Sequence, residues 1–447
     1  MRKIDVNKVI EDGKFNNYFF SIFMLLILVV LFDGYDMGVY GVTLPSIMKE
    51  LGLTATQTGL LASVGMFGMM FGALFLGSLA DVIGRKKVII IGILIYSVFN
   101  GLVGFIHSAS VFAVIRFIAG LGMGAITPVI VSLLSEYSPK ANKTLLLTLV
   151  VIGVPIGQLV SSLAGVAFLS TQGWRILYFA TFISLIVIIP IVSRIPESMK
   201  FYVAKGKTDI IRKTLSKANP EFVFSDEDIY EVSALNSKKA SLYSLFGDGY
   251  ARNTILIWIA FFCNLYLYFG VSTWLPKLMT ILGYTLTSSI AFLAIFLIGG
   301  IVAGPFIGVL GDKFGYKKVM PFLYIGSAIL ISLLSFKTST AVFYTLLFLA
   351  GATVSSVQNL TLAAAPEFYP ISIRGTAMGW GSAVSRLGSA TAPIIIGILV
   401  QAKFPMTTVF ESFIVPAIIG CIAILLTKKD PNAAHLRNDV AYPDKLT

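Results

Sequence analysis

Leu31-Phe32-Asp33-Gly34-Tyr35-Asp36-Met37-Gly38-Val39-Tyr40-Gly41 places two carboxylates inside an otherwise apolar run from about residue 18 to residue 40. A run of that length crosses a hydrocarbon core about 30 Å thick. Residues three apart on a helix lie about 60° apart in projection, so Asp33 and Asp36 address a single side. An ionisable group at membrane depth costs about 2.5–3.5 kcal/mol on insertion scales, so a pair of them is expected to face a bundle interior or a water-filled cavity and to serve function. The competing reading, a helix end at the outer interface, would make both acids ordinary. Gly34, Gly38 and Gly41 beside them permit close helix approach.

The rest of the chain has the composition that this stretch requires. Of 447 residues, 56% are hydrophobic and only 13% charged, against about one quarter charged in soluble domains. Arg2, Lys3, Lys8 and Lys14 precede the first run as they would in a signal peptide. The run is too long for one, however, and holds two acids where a cleavage site should follow, so an uncleaved first span is expected. Cys263 and Cys421 both fall in apolar runs, and His107 and His435 are the only histidines. No disulfide framework, metal site or cofactor is therefore expected.

Apolar runs lie at about 18–40, 58–80, 88–107, 111–133, 143–166, 174–194, 253–275, 287–311, 318–336, 340–362, 375–400 and 408–427, which predicts an all-α membrane protein of twelve helices. Basic clusters (Arg85-Lys86-Lys87, Lys140 with Lys143, Lys313 with Lys317-Lys318) alternate with loops holding mostly single basic residues such as Lys49, Lys277, Lys337 and Lys403. By the positive-inside rule the clusters and both termini are cytoplasmic. The net charge of +12 is then topology, and no nucleic-acid partner is expected. The only long polar stretch, from Ile195 to Arg252, holds nine Lys/Arg and eight Asp/Glu. The expected organisation is a six-helix half at 1–194, a solvated helical linker at 195–252, a second half at 253–427 and a tail at 428–447. Within the linker, Ser225-Asp226-Glu227-Asp228 and Lys205-Gly206-Lys207 are weaker candidates for a partner site.

The halves read as copies. A constant offset of 231 aligns Leu44-Pro45 with Leu275-Pro276, Met48 with Met279, Leu51-Gly52 with Leu282-Gly283, Gly77 with Gly308 and Asp81 with Asp312. It also takes Gly84 to Gly315, Lys86-Lys87-Val88 to Lys317-Lys318-Val319 and Glu136 to Glu367. An even number of spans per copy keeps the second in the same orientation, the parallel repeat of a transporter.

Gly77-Ser78-Leu79-Ala80-Asp81-Val82-Ile83-Gly84-Arg85-Lys86-Lys87 and its copy Gly308-Val309-Leu310-Gly311-Asp312-Lys313-Phe314-Gly315-Tyr316-Lys317-Lys318 resemble the loop motif of the major facilitator superfamily and its degenerate second copy. The resemblance implies a gate latch: Asp81, Arg85 and Asp312, with the helix-end residues Glu136, Glu367 and Arg374, are expected to serve gating. Pro196-Glu197-Ser198-Met199-Lys200-Phe201 resembles an element found after helix 6 in several organic-solute branches. Gly153-Val154-Pro155-Ile156-Gly157 does not match the antiporter signature of helix 5, which favours uptake over export.

Arg116-Phe117-Ile118-Ala119-Gly120-Leu121-Gly122-Met123-Gly124 resembles the helix-4 motif of the same superfamily. Counting residues puts Arg116 about 8 Å below the outer boundary, near the level of Asp33, so the acids and Arg116 can meet; snorkelling to the interface is the alternative. Asp33-Gly34-Tyr35-Asp36, Trp274-Leu275-Pro276-Lys277-Leu278-Met279 and Ser385-Arg386-Leu387-Gly388 together resemble the bacterial aromatic acid:proton symporters, end to end. That resemblance implies proton coupling at Asp33, Asp36 and Arg116, and an importer of a small aromatic carboxylate of the benzoate or hydroxybenzoate class. Arg386, about 17 Å into its span and thus near the midplane, suits a carboxylate through two parallel hydrogen bonds. Tyr35, Tyr268 and Trp380 are candidates for stacking on the ring, and Asn264, Gln358 and Asn359 for reading its hydroxyls. The expected setting is a monomer in the bilayer of the bacterial inner membrane, working by alternating access. No nucleophile or cofactor motif suggests an enzyme. A carrier of another organic acid or sugar acid, or a transporter-like sensor, are the alternatives.

Overall fold

The computed structural model describes residues 2–225, 228–232, 242–247, 249–336 and 338–428, without the side chains of residues 366, 367, 371 and 372. The 428–447 tail past its first residue, Asp226, Glu227 and the Glu367 side chain thus lie outside the described residues. Among the described residues, twelve helices are long and apolar enough to cross a membrane. They are α1 Asn17–Glu50, α2 Ala55–Ile83, α3 Arg85–Val103, α4 Ala109–Glu136, α5 Lys143–Gln172 and α6 Arg175–Arg194. After the linker come α7 Ala251–Ile281, α8 Leu286–Phe314, α9 Tyr316–Leu333, α10 Thr340–Ala364, α11 Ile371–Gln401 and α12 Met406–Leu426.

The first helix of each copy outruns its apolar run. Asn16 caps α1 by accepting from Tyr18 N at 3.0 Å and Phe19 N at 3.2 Å. The helix then continues through Pro45 to Glu50, and α7 likewise continues through Pro276 to Ile281. Polarity after Tyr40 marks the end of the apolar run and not of the helix, because a single proline removes only one ladder bond in a helix supported by packing. Both helices stop where Gly52 (φ +61°) and Gly283 (φ +94°) adopt the left-handed backbone that halts a helix. The offset of 231 extends into capping: Gln57 N donates to Thr54 Oγ1 at 3.2 Å, and Ser288 N donates to Thr285 Oγ1 at 3.2 Å.

Contacts group the chain into two units, Met1–Leu235 with Ser272–Ala294, and Asn236–Val271 with Ile295–Thr447. In the first unit α2 packs most extensively on α4, α1 on α5 and α3 on α4. In the second, α9 packs on α10 and α12. The first stretch of linker is folded and not merely solvated. Strand β1 (Lys3–Asp5) pairs in parallel with β2 (Ile229–Glu231), and the short helix Val6–Glu11 packs on the helix Thr208–Ala218. Val6, Val9 and Ile10 are buried, as are Ile211, Leu215 and Ala218, because the linker helix carries these apolar residues at helical spacing.

Glycines set how closely α2 and α4 approach. A Cβ at Gly124 would stand 2.0 Å from the Met69 carbonyl oxygen, one at Gly120 2.3 Å from that of Gly65, and one at Gly68 2.2 Å from that of Phe117. Gly124→Ala should therefore force the helices apart and lower stability by about 1–3 kcal/mol, as overpacking does. Gly77→Ala, whose Cβ meets nothing within 4 Å, is the control and should leave thermal unfolding in detergent unchanged or slightly raised. Equal unfolding midpoints for the two variants would contradict the seam.

Candidate functional site

Asp33 and Asp36 are 2% and 1% exposed, and Arg116 is 5% exposed. All three lie in the first unit, so the interior reading of the opening stretch holds and the interfacial one does not. Their depth inside the bundle follows from the glycines that flank them. A Cβ at Gly34 would stand 2.1 Å from the Val154 carbonyl oxygen, and one at Gly157 2.0 Å from that of Leu31, so α1 and α5 touch backbone to backbone at the acids. On α2, Gly65 leaves room for the guanidinium: a Cβ there would meet Arg116 Nη2 at 3.4 Å.

Each charged group has distinct surroundings. Thr127 of α4 donates to Asp33 Oδ2 at 2.9 Å. Neither oxygen of Asp36 meets a donor at full hydrogen-bond geometry, although the Asn100 amide lies within its hydrogen-bonding reach and Arg116 within its electrostatic reach. Arg116 gives Nη1 to Asn100 Oδ1 at 3.2 Å and sets its guanidinium carbon 5.1 Å from the centre of the Tyr40 ring, a cation–π distance. Tyr40 is itself fixed, donating its hydroxyl to the Thr58 carbonyl at 2.7 Å. Among the described residues no ion pair joins Arg116 to Asp36. The charges share one interior, and a neutral amide, not a carboxylate, takes up the arginine's directed bond.

Asn100 and Thr127 were not singled out by sequence reasoning. A signal existed for each: Asn100 is a polar amide in the apolar run 88–107, and Thr127 follows Arg116 by eleven residues, close to three helical turns and hence on the same face. Tyr35 is brought near the acids, but its hydroxyl donates to the Leu177 carbonyl at 2.9 Å, so its polar end is held against α6.

The residues expected to gate are joined in part. Arg85 Nη1 donates to Glu136 Oε1 and, at 3.1 Å, to the Ser132 carbonyl. Ser198 Oγ donates to Glu136 Oε2 at 2.8 Å. The Glu197 carboxylate accepts from Lys86 N at 3.0 Å and Ser198 N at 2.9 Å, supplying the α3 N-terminus with the cap that Gly84 cannot give. Gly84 has φ +105°, and a Cβ there would lie 2.3 Å from Glu197 Oε2. The loop motif, the end of α4 and the Pro-Glu-Ser element are thus one brace inside the first unit. Asp81 is exposed. In the second unit Asp312 accepts from the Tyr316 hydroxyl, and Arg374 Nη2 donates to the Tyr369 carbonyl at 3.3 Å.

Apart from Tyr35, which lies on α1 of the first unit, the expected substrate residues lie on three helices of the second unit. A Cβ at Gly388 would stand 2.1 Å from the Phe262 carbonyl oxygen, so α7 and α11 meet two residues from Asn264 and two from Arg386. Arg386 is half-buried. Asn264 is buried and its Nδ2 has no hydrogen-bond partner. Tyr268 is buried, its ring centre 5.3 Å from that of Phe269. Trp380 is exposed and its ring lies 6.3 Å from that of Trp258. On α10, Gln358 is half-buried and Asn359 exposed.

Comparison with known proteins bears on both units. The sequence model of the Major Facilitator Superfamily matches residues 26–301 and 290–442. A benzoate transport protein of Acinetobacter baylyi is 33% identical over 432 residues, 95% of this chain and 93% of that one. A gentisate transporter of Corynebacterium glutamicum is 32% identical over 88% of this chain and 84% of its own length. The crystal structure of a D-xylose-proton symporter superposes with a TM-score of 0.69 at 18% identity, covering 93% of this chain and 99% of that one; this likeness concerns the fold.

Proposed function

Because this chain belongs to the major facilitator superfamily, we propose that it is a proton-coupled importer of a small aromatic carboxylate, of the benzoate or hydroxybenzoate class. It is a multi-pass membrane transporter and not an enzyme. The observation that carries the proton-coupled reading is the burial of Asp33 and Asp36 beside Arg116. Two carboxyls next to a permanent cation can hold or release one proton for little rearrangement, so their proton affinity can be reset between outward-open and inward-open states. The substrate class rests on the relatives named for benzoate and gentisate over most of the chain.

In this reading Arg386 grips the carboxylate, Asn264, Gln358 and Asn359 address ring substituents, and Tyr268 and Trp380 offer aromatic faces. The two six-helix halves alternate access around the bound molecule. The basic loops and both termini face the cytoplasm, in the bacterial inner membrane. Benzoate, hydroxybenzoates, protocatechuate, gallate, gentisate, nicotinate and the non-aromatic quinate, offered to proteoliposomes under an imposed pH gradient, test it. Accumulation of one or more aromatic acids and not of quinate is expected; accumulation of quinate alone would overturn the substrate class.

Asp81 is assigned to the gate and not to binding. Asp81→Asn should slow counterflow severalfold while equilibrium binding of the aromatic acid stays within about threefold of wild type. Lost binding with normal exchange rates would move Asp81 into the site.

A further inference from the structure

Asn100 of α3 is fully buried, and its Oδ1 accepts from Arg116 Nη1 at 3.2 Å. A guanidinium only donates, and an amide has a single acceptor atom, so this bond fixes which way the amide points. Its Nδ2, with two N–H groups, faces elsewhere and meets Met123 Sδ at 3.8 Å, a weak acceptor. Next to it stands Asp36, buried, whose carboxyl lies within hydrogen-bonding reach of the Asn100 amide although neither oxygen meets a donor at full hydrogen-bond geometry. An amide with donor capacity to spare therefore adjoins a carboxyl whose oxygens it can engage or leave. An unsatisfied buried group costs about 1–3 kcal/mol, and more when charged.

We propose that Asn100 is the positioning residue of the proton site: it gives an Nδ2 hydrogen to Asp36 when that carboxyl is ionised, releases it to Met123 when Asp36 is protonated, and holds Arg116 through Oδ1 throughout. The only covalent change is the arrival or departure of the transported proton on the Asp33–Asp36 pair, which Asn100 senses at Asp36; everything else is hydrogen-bond exchange. Protonation at α1 is thereby felt at the guanidinium of α4 through a side chain of α3. The other charged or titratable groups around it are Asp33, Tyr35 and Tyr40 of α1, Tyr96 of α3 and Tyr178 of α6. Tyrosines ordinarily titrate near pH 10, so the two carboxyls are the groups that change charge in the working range.

The inference rests on the proton-coupled reading above, and the experiment separates the two. Full-length wild type, Asn100→Leu and Asn100→Gln are reconstituted, with labelled benzoate as the probe. Accumulation under an imposed pH gradient and the pH at which counterflow falls by half are measured for each. A hydrogen bond given to an ionised carboxylate favours ionisation, so in Asn100→Leu the loaded carrier should keep its proton to higher pH. Its counterflow midpoint should rise by about half a pH unit or more, and accumulation should fall about fivefold or more. Asn100→Gln, which retains the amide, should recover most of both. Asn100→Ser takes the place of the leucine variant if that protein is not recovered from the membrane. An unchanged midpoint and accumulation in the leucine or serine variant would overturn the inference. So would equal losses in the leucine and glutamine variants with no shift in midpoint, which would mark a packing role. Wild type that exchanges benzoate but does not accumulate it under the gradient would overturn proton coupling itself.

Discussion

Asp36→Asn and Asp33→Asn are each expected to abolish substrate accumulation driven by a pH gradient. One pH unit corresponds to a tenfold ratio, or about 1.4 kcal/mol, so a carrier moving one proton per substrate can concentrate it about tenfold per unit. An asparagine cannot carry that proton, and the ratio should fall to about one. Counterflow, in which labelled substrate exchanges without net proton movement, should survive better than accumulation. The surroundings of the two acids also make them unequal. Asp33 is held by the Thr127 hydroxyl, a bond that an asparagine carbonyl can still accept. Asp36 has no bond of that geometry and stands within reach of the Asn100 amide and of Arg116. Its replacement should therefore be the more damaging to coupling, although two acids this close are expected to titrate as a pair. The decisive measurement is both assays on the same reconstituted protein. A single variant that still concentrates substrate under the gradient shows that its residue is not an obligatory proton carrier.

Arg386→Ala should weaken equilibrium binding of the aromatic acid by about ten- to a hundredfold, the range that a lost hydrogen bond to a charged group of roughly 1.5–3 kcal/mol implies. Arg386→Lys should fall between, because an ammonium keeps the charge but loses the planar fork that matches a carboxylate. The control is a substrate analogue in which an amide replaces the carboxylate. It should bind the wild type weakly and lose little further in the alanine variant. Wild-type affinity of Arg386→Ala for the acid would remove Arg386 from the site.

Much of the architecture follows from one-dimensional pattern. Twelve apolar runs became twelve helices because in hydrocarbon a backbone must satisfy its own hydrogen bonds, and a helix does so within one segment. The offset of 231 reappears as paired left-handed glycines and paired helix caps, since the same residues meet the same local geometry in each copy. The runs failed to show that α1 and α7 continue past Pro45 and Pro276. Hydropathy reports where lipid ends, whereas a helix ends where its hydrogen bonding does.

By itself the sequence determined which side of α1 carries Asp33 and Asp36, because the angle between residues three apart is fixed by the helical repeat. It also determined that a buried arginine would need company. Tertiary structure decided what that company is. Arg116 is met by Asn100 and the Tyr40 ring, and Glu197 caps a helix whose first residue lies more than a hundred positions earlier. Those pairings depend on how far each helix is rotated and how closely it approaches its neighbour. Rotation and approach are set here by glycines such as Gly34, Gly65 and Gly157 lying against partner backbones and against the guanidinium. A close contact between distant segments is a property of two surfaces at once, and neither segment's own residue spacing encodes it.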